Sequence, residues 1–116
     1  MTCSHFTHLV SSIELNEEAG TYDISFVTVP TVKDGSCFKF RFPCNVTTVA
    51  TPSTPIRAGL NINGTVTFVP LWDCVGNVLR TGTTLRTRKV YCAIYGNDPA
   101  HLMIKEAKKC SKTCCL

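Results

Sequence analysis

Three features of the sequence predict a mainly β fold: an antiparallel sandwich or barrel-like sheet with one C-terminal helix, stapled by disulfides. Several short runs alternate apolar and polar residues, Asn63-Gly64 punctuates two of them, and eight cysteines fall within 116 residues. Alternation with period two marks a strand with one face buried. Asn-Gly suits the type I′ turn of a tight hairpin, in which both central residues need positive φ. An even cysteine count at this density marks a disulfide framework made in an oxidising compartment.

The length suits one domain spanning residues 1–116, with strands over about 7–95 and a helix over about 99–113. Apolar residues make up 44% of the chain and charged residues 17%, enough for a true core beside the staples. The run TYDISFVTV from Thr21 to Val29 places Tyr22, Ile24 and Phe26 on one face and Asp23 and Ser25 on the other. The preceding THLVSSIEL, with its NEEAG turn, pairs with it as a hairpin, and Pro30 and Asp34-Gly35 end the unit. From Cys37 to Cys44, Phe38, Phe40 and Phe42 face one way and Lys39 and Arg41 the other, until Pro43 closes the run or sets it at an edge. Around Asn63-Gly64 a two-residue loop sets Ile62 opposite Thr65, Leu60 opposite Thr67, Ala58 opposite Val69 and Ile56 opposite Leu71. Phe68 then covers the gap left by Gly59.

A short strand near Val75–Arg80 and a long one from Thr83 to Tyr95 complete the sheet. At Gly96-Asn97-Asp98-Pro99 the pattern changes. Asp98 reads as an N-cap and Pro99 as the first helical residue. Ala100, Met103, Ala107, Cys110 and Cys114 then recur as one helical stripe, with lysines in the later turns suiting the carbonyl end.

The cysteines are Cys3, Cys37, Cys44, Cys74, Cys92, Cys110, Cys114 and Cys115, and four bridges are expected of them. One extended strand holds Cys37 and Cys44 roughly 23 Å apart, too far to bond each other. The helix cysteines reach to strand cysteines, and the complete pairing stays open. Zinc is the rival use of these residues: Cys3, His5 and His8 near the start, with Cys110, Cys114 and Cys115 near the end, supply suitable donors. The spacing matches no zinc ribbon or finger. No cofactor is expected.

Two sequons, at Asn45 and Asn63, are candidate glycosylation sites, the second on a hairpin tip. With the cysteines they favour a secreted product. The start lacks the basic-then-hydrophobic pattern of a signal peptide, so Met1 is read as standing in for a removed leader. No apolar run is long enough for a membrane-spanning helix.

Charge is uneven. Residues 1–56 sum to −2 and residues 57–116 to +6, giving +4 overall. Arg86, Arg88 and Lys89 on the long strand, with Lys105, Lys108, Lys109 and Lys112 on the helix, are therefore the candidate surface for an acidic ligand or protein. Trp72, Tyr91 and Tyr95 form a second candidate anchor. A small basic chain with eight cysteines resembles the pancreatic-type ribonucleases in composition, though their Cys-Lys-x-x-Asn-Thr-Phe motif is missing. His5, His8 and His101 are what such an enzyme would use as acid and base.

The expected function is that of a secreted, cysteine-rich binding protein, an effector or ectodomain module engaging a protein or polyanion. The alternatives are a ribonuclease-like enzyme and an intracellular, viral nucleic-acid-binding or capsid-like protein with free thiols or zinc. In the last case the alternating Phe38–Phe42 strand would meet the nucleic acid.

Overall fold

In the computed structural model, which describes residues 6–43, 54–81, 89–97 and 99–105, eight strands make one sheet. They are β1 (Thr7–Asn16), β2 (Thr21–Phe26), β3 (Thr31–Val32), β4 (Cys37–Arg41), β5 (Ile56–Ile62), β6 (Thr65–Trp72), β7 (Val90–Asn97) and β8 (Ala100–Ile104). Neighbours run β2-β1-β4-β7-β8-β6-β5, and pairing of β2 with β5 closes these seven into a barrel. Beyond the ring, β3 continues along β5, pairing Thr31 with Asn61 and Val32 with Ile62.

Local chemistry sets the hairpins. Asn63 (φ 54°) and Gly64 (φ 84°) make the I′ turn, and the expected partners Ile62↔Thr65, Leu60↔Thr67 and Ala58↔Val69 are observed. A Cβ built on Gly59 would lie 3.1 Å from Phe68 Cε1, so the ring does cover the glycine. Between β1 and β2, Asn16 accepts the Gly20 N–H on its carbonyl and the Ala19 N–H on Oδ1, fixing the turn. Gly35 takes φ 86° where Asp34-Gly35 was expected to turn.

The alternating runs supply the core. Phe38, Phe40 and Phe42 are buried with Ile24, Phe26, Leu60, Leu71, Tyr91, Tyr95, Leu102 and Ile104. Phe40 stacks on Tyr91 with centroids 5.5 Å apart and meets Phe26 edge-on at 5.8 Å. Each such side chain contributes ~1.5–3 kcal/mol by leaving water. Pro43 closes the Phe run; β4 is not an edge strand, since β1 and β7 flank it.

Three expectations are corrected. First, residues 100–104 are strand β8 and no α-helix occurs among the described residues. Leu102 and Ile104 point into the core, and Asn97 pairs with Ala100 across a tight reversal. Asn97 and Pro99 therefore belong to a hairpin, because β7 offers a pairing edge that a helix would leave unsatisfied; Asp98, the expected N-cap, lies outside the described residues. The rest of the expected helix, 106–113, lies outside the described residues. Second, residues 75–80 form no strand. Asp73 Oδ1 accepts the N–H groups of Val75 and Asn77 in a turn, leaving only the bridges Trp72↔Val78 and Pro55↔Arg80. Third, the sheet is mixed: β1–β4, β2–β5, β3–β5 and β6–β8 pair parallel. Alternation reveals a strand's faces but not its direction relative to a distant partner.

Candidate binding surface on the barrel exterior

Because phenyl, tyrosyl and aliphatic side chains point into the barrel, the chemistry available to a partner is on its outer face. Two regions of that face differ in charge.

The first lies on β4, β7 and β8. The alternation that buries the phenyl row of β4 turns Lys39 and Arg41 outward, and they stand across from Cys92 and Val90 of β7. Lys89 precedes β7 and is exposed, with its ammonium 5.5 Å from the centre of the Tyr91 ring. Lys105 follows β8, one residue past the Ala93↔Ile104 pair. Thus the two expected cations that are described, Lys89 and Lys105, fall at one end of the β7–β8 hairpin. Lys39 and Arg41, which belong to the acidic half of the sequence, join them. The signal for this was present in the alternation of residues 37–42 but was masked by summing charge along the chain. Arg86, Arg88, Lys108, Lys109 and Lys112 lie outside the described residues.

The second region lies on β1, β2, β5 and β6. Asp23 and Arg57 are cross-strand partners on β2 and β5, and Nε and the terminal nitrogen of Arg57 donate to the two carboxylate oxygens at 2.9 and 2.8 Å. Thr21 Oγ1 donates to Oδ1 at 2.8 Å and Asn16 Nδ2 to Oδ2 at 3.2 Å. Burial pushes the Asp23 carboxyl up, but the bonds from Arg57, Thr21 and Asn16 and the Arg57 charge outweigh it, so the group is held below the usual carboxylate range. The bonds to Asp23, and its charge, in turn raise Arg57 against its own partial burial. The guanidinium also sits 5.4 Å from the Phe68 ring centre. An open hollow of about 440 Å3 beside this cluster is lined by Glu14, Leu15, Glu17, Ser25 and Phe68 among others.

Of the aromatic anchors, Tyr91 and Tyr95 are core residues, which corrects their expected exposure. Trp72 is half-buried and stacks on His101, with centroids 4.1 Å apart and planes 11° from parallel. Gly96 makes this possible, since any Cβ there would overlap the imidazole. The indole N–H of Trp72 is buried and meets no acceptor among the described residues.

His8 and His101 do not form a catalytic pair. His8 Nδ1 donates to the Thr28 carbonyl at 2.8 Å and His101 Nδ1 to the Pro99 carbonyl at 2.7 Å. β4 and β7 separate their strands, and the register sets His8 level with Tyr91 and His101 level with Gly96 on β7, so they stand on the order of 20 Å apart along the sheet. An acid and a base serving one phosphate must each come within hydrogen-bond reach of it. His5 lies outside the described residues, as do Cys3, Cys44, Cys110, Cys114, Cys115 and Asn45. The zinc set beyond His8 therefore lies there too, and no group of three metal-donor side chains occurs among the described residues. Cys37 and Cys74 are disulfide-bonded, and Cys92 is buried in β7. Asn63 is exposed at the hairpin tip. No helix of the described residues is long and apolar enough to cross a membrane.

The site and fold define a closed, mixed β-barrel with a filled interior and an exterior divided by charge. No family model, curated protein or solved structure matches the chain.

Proposed function

We propose that the chain is a small secreted, disulfide-stapled binding module of the effector or ectodomain kind, taking an acidic partner on the outer face of β4, β7 and β8. The observation that carries this reading is the outward pair Lys39 and Arg41 on β4, with Lys89 and Lys105, just before β7 and just after β8, at the same end of the neighbouring strands. None of the four is ion-paired with a described carboxylate, so their charge remains available to a ligand. Secretion is supported by the cysteine density and by the sequon whose Asn63 stands on an exposed turn. The partner class is an acidic protein surface or a sulfated or phosphorylated polyanion, recognised by charge.

Binding of a heparin fragment, titrated at several salt concentrations, tests this. Reversing Lys39 and Arg41 together to Glu should weaken binding by at least about tenfold, and added salt should reproduce the loss. Both side chains lie on the face opposite the buried phenyls, so the far-ultraviolet circular dichroism should not change. Affinity indifferent to the reversals and to salt between about 0.05 and 0.5 M would sink the electrostatic reading.

A further inference from the structure

The ring of strands is closed, yet one stretch of it has a single neighbour among the described residues. β6 pairs with β5 from Thr65 to Pro70, but with β8 only at Leu71 and Trp72. The segment Thr65–Phe68 is exposed at every residue, with Val66 at 56% and Phe68 at 36%. In a two-residue hairpin the residues flanking the turn, here Ile62 and Thr65, bond each other, and bonding then alternates along the ladder. The N–H and C=O of Val66 and Phe68 therefore point away from β5, toward the open edge. Natural edge strands are commonly guarded by lysine, proline or a bulge. Thr65-Val66-Thr67-Phe68 has none of these, and Pro70 comes only after it.

We propose that this edge pairs with the same edge of a second copy of the chain, antiparallel about a two-fold axis at Thr67. That register sets Val66 opposite Phe68 twice, and each pair exchanges two backbone hydrogen bonds. Val66 and Phe68 lie on one face, so each Val66 stands opposite the partner's Phe68, whose ring leans over Gly59 of its own β5 and leaves room for the approach. Thr67 meets its own copy at the axis. A second copy is the occupant this edge fits, because the segment is uncharged and self-complementary: it offers no charge by which to select a different peptide, and an identical strand meets no like charge at the axis. The Asn63 sequon adds a control. A glycan two residues before Thr65 would stand beside the open edge and block it, so association belongs to the unglycosylated form.

Sedimentation velocity of unglycosylated protein from about 10 µM to about 1 mM tests the pairing. The expected result is a reversible monomer–dimer equilibrium. Thr67→Lys and Thr67→Glu, both at an exposed position, should each weaken it by at least about tenfold, because either puts like charges together at the axis. An equimolar mixture of the two variants should dimerise again, which capture of an unrelated peptide would not produce. Near-ultraviolet circular dichroism verifies that both variants are folded. A wild-type protein that stays monomeric throughout, or a dimer untouched by both substitutions, overturns the proposal. So does a mixture that fails to re-form it.

Discussion

Asp23 shows how a polar residue on a barrel's outer face becomes structural. Its carboxylate is mostly covered and takes donors from three strands: Asn16 on β1, Thr21 on β2 and Arg57 on β5. It therefore ties the seam where β2 meets β5 and the ring closes. A carboxyl held below its unfolded value gives stability that is complete above the unfolded value and lost as pH falls through the folded one. Acid should consequently destabilise the wild type between about pH 5 and pH 2 more than it does Asp23→Asn. At neutral pH the variant should be about 1–3 kcal/mol less stable, since Arg57 loses its charged partner. Urea titrations of both proteins at pH 7, 4 and 2.5 would show this, and parallel losses in the two would remove Asp23 from the acid response. The alternation of Thr21–Phe26 shows Asp23 pointing outward; that Arg57, 34 positions away, supplies its counter-charge is not legible there.

Elements were legible where their cause is local. The Asn63-Gly64 hairpin needs only two residues able to take positive φ and alternation around them, so its register follows from sequence. β8 was misread for the opposite reason. Ala100-His101-Leu102-Met103-Ile104 is short enough to fit both a helical stripe through Ala100 and Met103 and a strand through Leu102 and Ile104. An Asp-Pro pair serves as a helix start or as a turn, and here pairing to β7 decides between them. The two readings make opposite demands on the side chains. In the strand, Leu102 is fully buried while Met103 is only half-covered. Leu102→Ala should therefore cost about 2–4 kcal/mol and Met103→Ala about 1 or less. Thermal melts of the two variants check this; a larger loss at Met103 would restore the helical stripe.

At the scale of the whole molecule, the alternating runs predicted strands and a core but not the ring. Closure depends on β1 lying beside β4, β2 beside β5 and β6 beside β8, all parallel and all joined through intervening elements. No period in the sequence encodes such pairings. The same folding rearranges charge: Lys39 and Arg41 leave an acidic half to stand with Lys89 and Lys105. A barrel held by distant pairings places heavy demands on chain entropy, which is where cross-links act most. Cys37 opens β4 and Cys74 lies in the turn after β6, and both are disulfide-bonded. Neither should accept an alkylating reagent in native protein, and both should do so after reduction. Reduction should lower stability by about 2–5 kcal/mol for each bridge opened. It should also steepen the dependence on urea, because an uncrosslinked unfolded chain exposes more surface. Urea unfolding with and without a phosphine reductant, the thiols counted by mass, decides the matter. Unchanged midpoint and slope in fully reduced protein would mean that the barrel's packing alone holds the fold.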